Sequence, residues 1–399
     1  MNEIITRDYY LSKVEPFINK DIIKVFVGQR RVGKSYLLRS LAQKFQNEKD
    51  SNVIFIDKER YEFDAITNYK ELNEYVLPLL KKTKMNYLFI DEVQEIEEFQ
   101  KSLRHFNSQK NVDVYCSGSN SKIFSGELAT FLSGRYLEIK VFSLSYTEYL
   151  LFNNYTDNDD SLRKYLRFGG LPFLKNLRDS EVINFEYLNN IFSTILYKDI
   201  ISRYNIRNVH FLENLVKFTA DNVGNILSSK KISDYLKSQK LNISPQMVLN
   251  YLNYLQNAFL IYKVRRKDVA GKKIFEIGEK YFFEDWGIRN AIIGYRQNDI
   301  NKIIENVVYI HLIINGFDVY VGKLGEKEID FVCEKNGEKI YIQVAYLIPD
   351  EQVKEREFGN LLEIKDNWRK LVVSLDTFPI GKWNGIEHYN LREFLTSFR

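Results

Sequence analysis

Residues 25–38 read VFVGQRRVGKSYLL. An apolar run, Val25 to Val27, enters a loop bounded by Gly28 and Gly33, and the loop opens straight into YLLRSLAQKF, a stretch of helical period. Gly28 to Ser35 fit G-x-x-x-x-G-K-[ST], placed between a strand and a helix where that pattern has its chemistry. Glycines let backbone amides turn inward around phosphates, the helix N-terminus adds its positive end, Lys34 reaches the outer phosphates and Ser35 takes a magnesium ion. The nucleotide-binding set is therefore Gly28, Gln29, Arg30, Arg31, Val32, Gly33, Lys34, Ser35 and Tyr36. Arg30 and Arg31 are open to two readings, neutralising a triphosphate or pairing with surface acids such as Glu59.

Working outward, DIIKVFVG is followed by NVIFID, NYLFIDEV, VDVYCSG and YLEIKVFSL, separated by helix-length segments. Apolar runs so spaced imply a parallel sheet covered on both faces. The third run ends in Asp91 and Glu92, where the end of a buried strand would face the nucleotide. Asp91 is expected to hold the magnesium ion through water, and Glu92 to polarise the attacking water. The alternative is that both acids cap a helix beginning near Glu95.

The remaining organisation gives an α/β chain of four parts. Residues 1–145 form the P-loop core, and 146–204 a helical lid with a break at Gly169 to Pro172. Residues 205–300 resemble a winged helix-turn-helix, and 301–399 read as a small α/β unit. In the third part Ser244 and Pro245 open a helix whose stripe is Met247, Val248, Tyr251, Leu252, Leu255 and Phe259. A strand, a turn at Gly271 and a second strand follow as the wing.

Composition narrows the function classes. Cys116 and Cys333 are far apart in apolar strands, which fits a reducing compartment and no disulfide framework. No pair among His105, His210, His311 and His388 has zinc-ligand spacing. The N-terminus, MNEIITRDYYLSK, lacks the apolar run of a signal peptide, and no stretch approaches the ~20 apolar residues of a membrane span, so the expected compartment is the cytoplasm. The net charge is +4, yet residues 203–300 carry 16 Lys and Arg against 9 Asp and Glu. The surplus collects on the wing at Lys263, Arg265, Arg266, Lys267, Lys272 and Lys273, which points to DNA phosphates. Against that, the preceding helix exposes Gln246, Asn250, Asn253 and Asn257 with no cation, and winged helices also dock proteins.

The order of phosphate loop, Asp-Glu strand, polar-ended strand VDVYCSGSN and pre-strand arginine in SGRYLEIKV resembles the AAA+ ATPases. GQRRVGKS, IDEVQ and SGR together are similar to archaeal and bacterial ATPases with an AAA_14 domain followed by a DUF4143 region, over nearly the whole chain. The resemblance implies ATP and Mg2+ as ligands and Glu92 as the residue that activates water. It also implies Ser117, with Ser119 or Asn120 as alternatives, as the γ-phosphate sensor. Arg135 would be an arginine finger, in ring-forming relatives one that serves a neighbour's nucleotide, hence a homo-oligomer. The alternative for Arg135 is a cation at a helix C-terminus.

The last part, GFDVYVGKLGEKEIDFVCEKNGEKIYIQVAYLI, resembles the restriction-endonuclease-like core. Asp330 would be its first acid, Glu328 shares its face of the strand, and Glu305 could complete the set. Gln343, Val344 and Ala345 stand where that pattern has Glu, any residue and Lys. Ala345 cannot stabilise a developing phosphate charge, so the expectation is a fold without its reaction, unless a lysine such as Lys339 or Lys370 substitutes.

Overall fold

The computed structural model describes residues 6–121, 134–238, 243–269, 274–377, 379 and 381–399, with the backbone alone for 275–277. They gather into two compact units, Met1–Phe142 with Asn257–Phe259, and Ser143–Gln256 with Leu260–Arg399.

The first unit is built on five strands, β1 (Ile23–Val27), β2 (Ser51–Asp57), β3 (Met85–Asp91), β4 (Val112–Gly118) and β5 (Tyr136–Lys140). Their order is β2-β3-β4-β1-β5, and every pairing is parallel. All of β1 and β4 is buried, as unbroken apolar runs require when a parallel sheet is covered on both faces. The burial includes Lys24, whose ammonium pairs with Asp113, while the Tyr115 hydroxyl donates to the same carboxylate at 2.8 Å. The helix Lys34–Gln46 turns Leu37, Leu38, Leu41 and Phe45 inward, and the Phe45 ring stacks on Tyr87 with centroids 3.9 Å apart. Parallel strands place all their C-terminal ends at one edge. Because β1 lies between β4 and β5, that edge carries the topological crossover at which α/β sheets hold ligands.

After β3 the chain departs from expectation. Glu92 adopts a left-handed conformation (φ 53°), a short 3-10 turn spans Val93–Glu95, and Glu98 is left-handed again (φ 54°). The helix therefore begins at Phe99 and runs to Asn107, not near Glu95, and neither Asp91 nor Glu92 is its N-cap.

The second unit starts with the helices expected of the lid, Tyr146–Asn153, Asp159–Phe168 and Glu181–Thr194, the last continuing as a π-helix over Ile195–Ser202. The break at 169–172 has a steric cause. A Cβ on Gly169 would lie 2.2 Å from Asp285 Oδ1 and one on Gly170 would lie 2.6 Å from the Leu144 carbonyl oxygen, while the Gly170 amide donates to Asp285 at 2.8 Å.

Three helices follow, Val209–Asp221, Ser229–Ser238 and Pro245–Asn257, then the hairpin β6 (Ile261–Asp268) and β7 (Ile274–Phe283). Val248, Tyr251, Leu252 and Leu255 are buried as the stripe requires, but Met247 is exposed. The hairpin is not a free wing. β6 pairs in parallel with β8 (Asp318–Leu324), and the sheet continues through β9 (Lys327–Lys335), β10 (Glu338–Val344), β11 (Arg369–Ser374), β13 (Ile386–Asn390) and β12 (Gly381–Trp383). The boundary expected at residue 300 thus falls inside one eight-stranded sheet. The helix Ile300–Ile314 packs on this sheet, as its near-continuous buried run demands.

Candidate nucleotide-binding site

The loop after β1 is shaped by close approach. A Cβ on Gly28 would sit 2.1 Å from the Val141 carbonyl oxygen, and Gly33 at φ 102° caps the following helix in a conformation other residues avoid. Arg31 at φ 70° is exposed, and Tyr36, in the first helical turn, is 62% exposed. Val32 is fully buried, and its carbonyl accepts from Arg7 at 2.9 Å, the same guanidinium nitrogen reaching the Phe142 carbonyl at 2.8 Å. Lys34 is buried, its ammonium held by the carbonyls of Gly28 at 3.0 Å and Gln29 at 2.9 Å. Arg30 does pair with Glu59, at 3.2 Å, yet it is itself buried, and its charge also acts on Glu92.

On the neighbouring strands the acids lie within this set. Ser117 donates to Asp91 Oδ1 while accepting from the Glu92 amide at 3.0 Å, and the Ser35 hydroxyl is near enough to Asp91 to lower its carboxyl. Burial pushes the Asp91 carboxyl up, partly offset by the two serine hydroxyls. Glu92 is buried too, but the Lys34 and Arg30 charges and hydrogen bonds from Gln94 and Ser119 outweigh that burial and hold it below the usual glutamate range. One carboxylate oxygen, Oε2, accepts from Ser119 at 2.9 Å and from the Gln94 amide.

Arg135 lies elsewhere. It is exposed, immediately before β5, and its carbonyl accepts from Ile23 at the N-terminal end of β1. The phosphate loop touches Val141, six residues further along the parallel neighbour, so about 20 Å separates Arg135 from its own loop. The helix that the cation-at-C-terminus alternative needs falls outside the described residues.

The loop, Asp91, Glu92 and Ser117 thus come together and Arg135 does not. Gln94 and Arg7 were missed. Gln94 stands in the IDEVQ stretch already singled out, whereas Arg7 has no sequence signal, being 25 residues from Val32 and 135 from Phe142. The arrangement fits a magnesium nucleotide: Ser35 and Asp91 offer hard oxygen donors side by side, the kind of small set Mg2+ uses alongside waters and phosphates. Gln29 is wholly buried with neither amide atom partnered among the described residues, an orphan that a ligand would satisfy.

A second cluster occupies the other unit. The Lys280 ammonium lies 2.7 Å from Glu305, 2.7 Å from Glu328 and 3.4 Å from Asp330. Asp330 accepts from the Val344 amide at 2.9 Å. The lysine met by these acids is therefore Lys280, not Lys339 or Lys370, which pair with Glu334 and Asp366. Among the described residues no group of three or more His, Cys, Asp or Glu is arranged to hold a metal ion.

The basic hairpin is partly neutralised. Lys263 pairs with Glu279 at 3.6 Å and Lys267 with Glu334 at 2.7 Å, while Arg265 is exposed; Lys272 and Lys273 lie outside the described residues. Both cysteines are free and buried, and no described helix is long and apolar enough to cross a membrane.

Comparison with known proteins agrees with the first unit's geometry. Residues 20–150 match the AAA domain family AAA_14. Residues 159–299 match a domain of unknown function, DUF8612, where DUF4143 was expected. An uncharacterized protein of Haemophilus influenzae is 35% identical over 391 residues, covering 96% of each chain. Another, from Methanocaldococcus jannaschii, is 32% identical over 380 residues, covering 89% of this chain and 83% of its own. A Walker-type ATPase of Pyrococcus abyssi shares the fold with a TM-score of 0.51 at 16% identity, over 73% of this chain and 96% of that one. The chain therefore belongs to one family with the Haemophilus and Methanocaldococcus proteins, and carries in its first unit an AAA domain with the P-loop ATPase fold.

Proposed function

We propose that this protein is a magnesium-dependent ATP hydrolase whose turnover drives rearrangement of the second unit. The observation that carries the reading is Glu92, a buried carboxylate kept ionised beside Lys34 and Arg30 at the ligand-binding edge of the sheet. The phosphate loop binds the triphosphate, and Ser35 and Asp91 would hold a magnesium ion, which would supply neutralisation of charge on the outer phosphates. Lys34 orients the terminal phosphate, Ser117 fixes Asp91 and the Glu92 amide, and Glu92 takes the proton of the attacking water. Glu92→Gln keeps the shape and removes the base. The expected result is retained ATP binding and lost turnover, and hydrolysis at the parent rate would overturn the assignment.

Arg135, about 20 Å from its own loop, would act on the nucleotide of a second copy, so the active form is an oligomer. In the second unit, residues 146–204 serve as a helical lid and DNA contact runs through Arg265 on the β6–β7 hairpin, which is part of the eight-stranded sheet. The nuclease-like portion serves as a scaffold, because Lys280 places an ammonium where a metal would have to sit among Glu305, Glu328 and Asp330.

A further inference from the structure

The left-handed backbone at Glu92 and the 3-10 turn after it fold Gln94 back over the Glu92 side chain. There the Gln94 amide nitrogen donates to Glu92 Oε2 and lies 3.3 Å from the Ser119 hydroxyl, which binds the same oxygen. Two donors thus fix Oε2, and Oε1 has no hydrogen bond among the described residues. The other end of the Gln94 amide, its carbonyl Oε1, is buried with no partner among the described residues. Leaving a buried polar atom unpaired costs about 1–3 kcal/mol, and such atoms that persist in a folded protein call for an explanation in function or bound solvent. A non-glycine residue in the left-handed region, needed to bring this about, is a second departure at the same place.

We propose that Gln94 is a catalytic residue of the hydrolysis: its N–H aims the Glu92 carboxylate and its carbonyl accepts a hydrogen of the attacking water. The proposal rests on the ATPase reading above. In the step it serves, the water oxygen bonds to the γ-phosphorus as one water proton passes to Glu92 Oε1. The bond from the γ-phosphorus to the bridging oxygen breaks, and its electron pair leaves on the ADP β-phosphate. Gln94 keeps the second hydrogen engaged, so the oxygen lone pair faces the phosphorus; misplacing such a reactant by about 1 Å costs roughly 10²-fold.

The test uses the full-length protein with Gln94→Leu and Gln94→Glu, each measured for kcat and KM of ATP turnover and for binding of a non-hydrolysable ATP analogue. Gln94→Leu should lower kcat about 10²-fold and leave analogue binding and KM unchanged, since the amide that aims Glu92 and holds the water is gone. Gln94→Glu retains an acceptor but loses the N–H that aims the Glu92 carboxylate, so its kcat should fall as well, with KM unchanged. Parent-like kcat in Gln94→Leu, with Glu92→Gln inactive, would overturn the proposal and spare the ATPase reading. Loss of analogue binding in both variants would overturn it as well, by making Gln94 a structural residue. A parent protein that does not hydrolyse ATP, or a Glu92→Gln variant that does, would instead overturn the ATPase reading itself.

Discussion

Replacing Lys280 by methionine keeps most of the side-chain volume and removes the one cation that three carboxylates share. At an effective dielectric of about 20, a unit charge pair is worth about 6 kcal/mol at the 2.7 Å seen for Glu328, before desolvation is subtracted. Breaking a buried pair from one side costs about 3–5 kcal/mol net, because the partner stays buried and unpaired. Burial pushes the Lys280 ammonium down, but the three carboxylates win and raise it above the usual lysine range, so it is charged throughout the working pH range. Burial pushes Glu305 the other way, up to about 8, in spite of Lys280. The sign follows from linkage. A carboxyl raised from 4.5 in the unfolded chain to about 8 in the fold contributes stability that is fully present below pH 4.5 and lost as pH rises through 8. In Lys280→Met that window extends upward, so the variant should lose about 3–5 kcal/mol near pH 7.5 and much less near pH 5. Denaturant unfolding at the two pH values measures both numbers. With the ammonium gone, Mn2+ should also raise the melting temperature of the variant in proportion to ln(1 + [Mn2+]/Kd) and leave the parent unaffected. A variant as stable as the parent at pH 7.5, or equal Mn2+ stabilisation of both proteins, would refute the view that Lys280 fills the cation place.

Arg135→Ala should reduce turnover by about 10³-fold, and mixing it with Glu92→Gln should restore activity, because each supplies what the other's shared site lacks; full activity of Arg135→Ala, or no recovery on mixing, would exclude a finger acting between subunits. Gly28→Ala drives a Cβ toward the Val141 carbonyl 2.1 Å away, so analogue binding should be lost in calorimetry with a cost of about 1–3 kcal/mol in unfolding, and parent-like affinity would contradict the close approach. Lys24→Met leaves Asp113 buried and uncompensated and should cost about 3–5 kcal/mol by chemical denaturation, an unchanged midpoint being the contrary result. On random duplex DNA, Arg265→Ala should reduce the salt slope of binding by about 1, while Lys267→Ala, whose ammonium is already held by Glu334, should leave it unchanged; the reverse order would reassign the contact.

Legibility followed the distance over which each contact is made. The phosphate loop is eight consecutive residues whose conformation depends on its own glycines and on the strand and helix it joins, so the pattern and its flanks predict it together. Asp91 and Glu92 are equally local to the end of β3, yet the helix drawn after them was displaced to Phe99, because left-handed Glu92 and Glu98 leave no mark in hydrophobic period. Period also could not place the hairpin 261–283. A strand pair with alternating cations looks the same as a free wing or as the extension of a larger sheet, and only its parallel pairing with β8, more than fifty residues on, distinguishes them. The strands β8, β9 and β10 were legible for the same local reason as the loop, whereas the lysine that meets Asp330 was not. Sequence position points to Lys339 or Lys370, but an ammonium on a flexible four-carbon stem needs only to end near the carboxylates, and β7 delivers it from 50 residues before Asp330. What this implies for the chemistry is specific. A metal-activating lysine has to stand beside the ion, and one that lies within hydrogen-bond distance of the acids takes the ion's place, so the same residue type in the same cluster argues for opposite functions according to where its nitrogen sits.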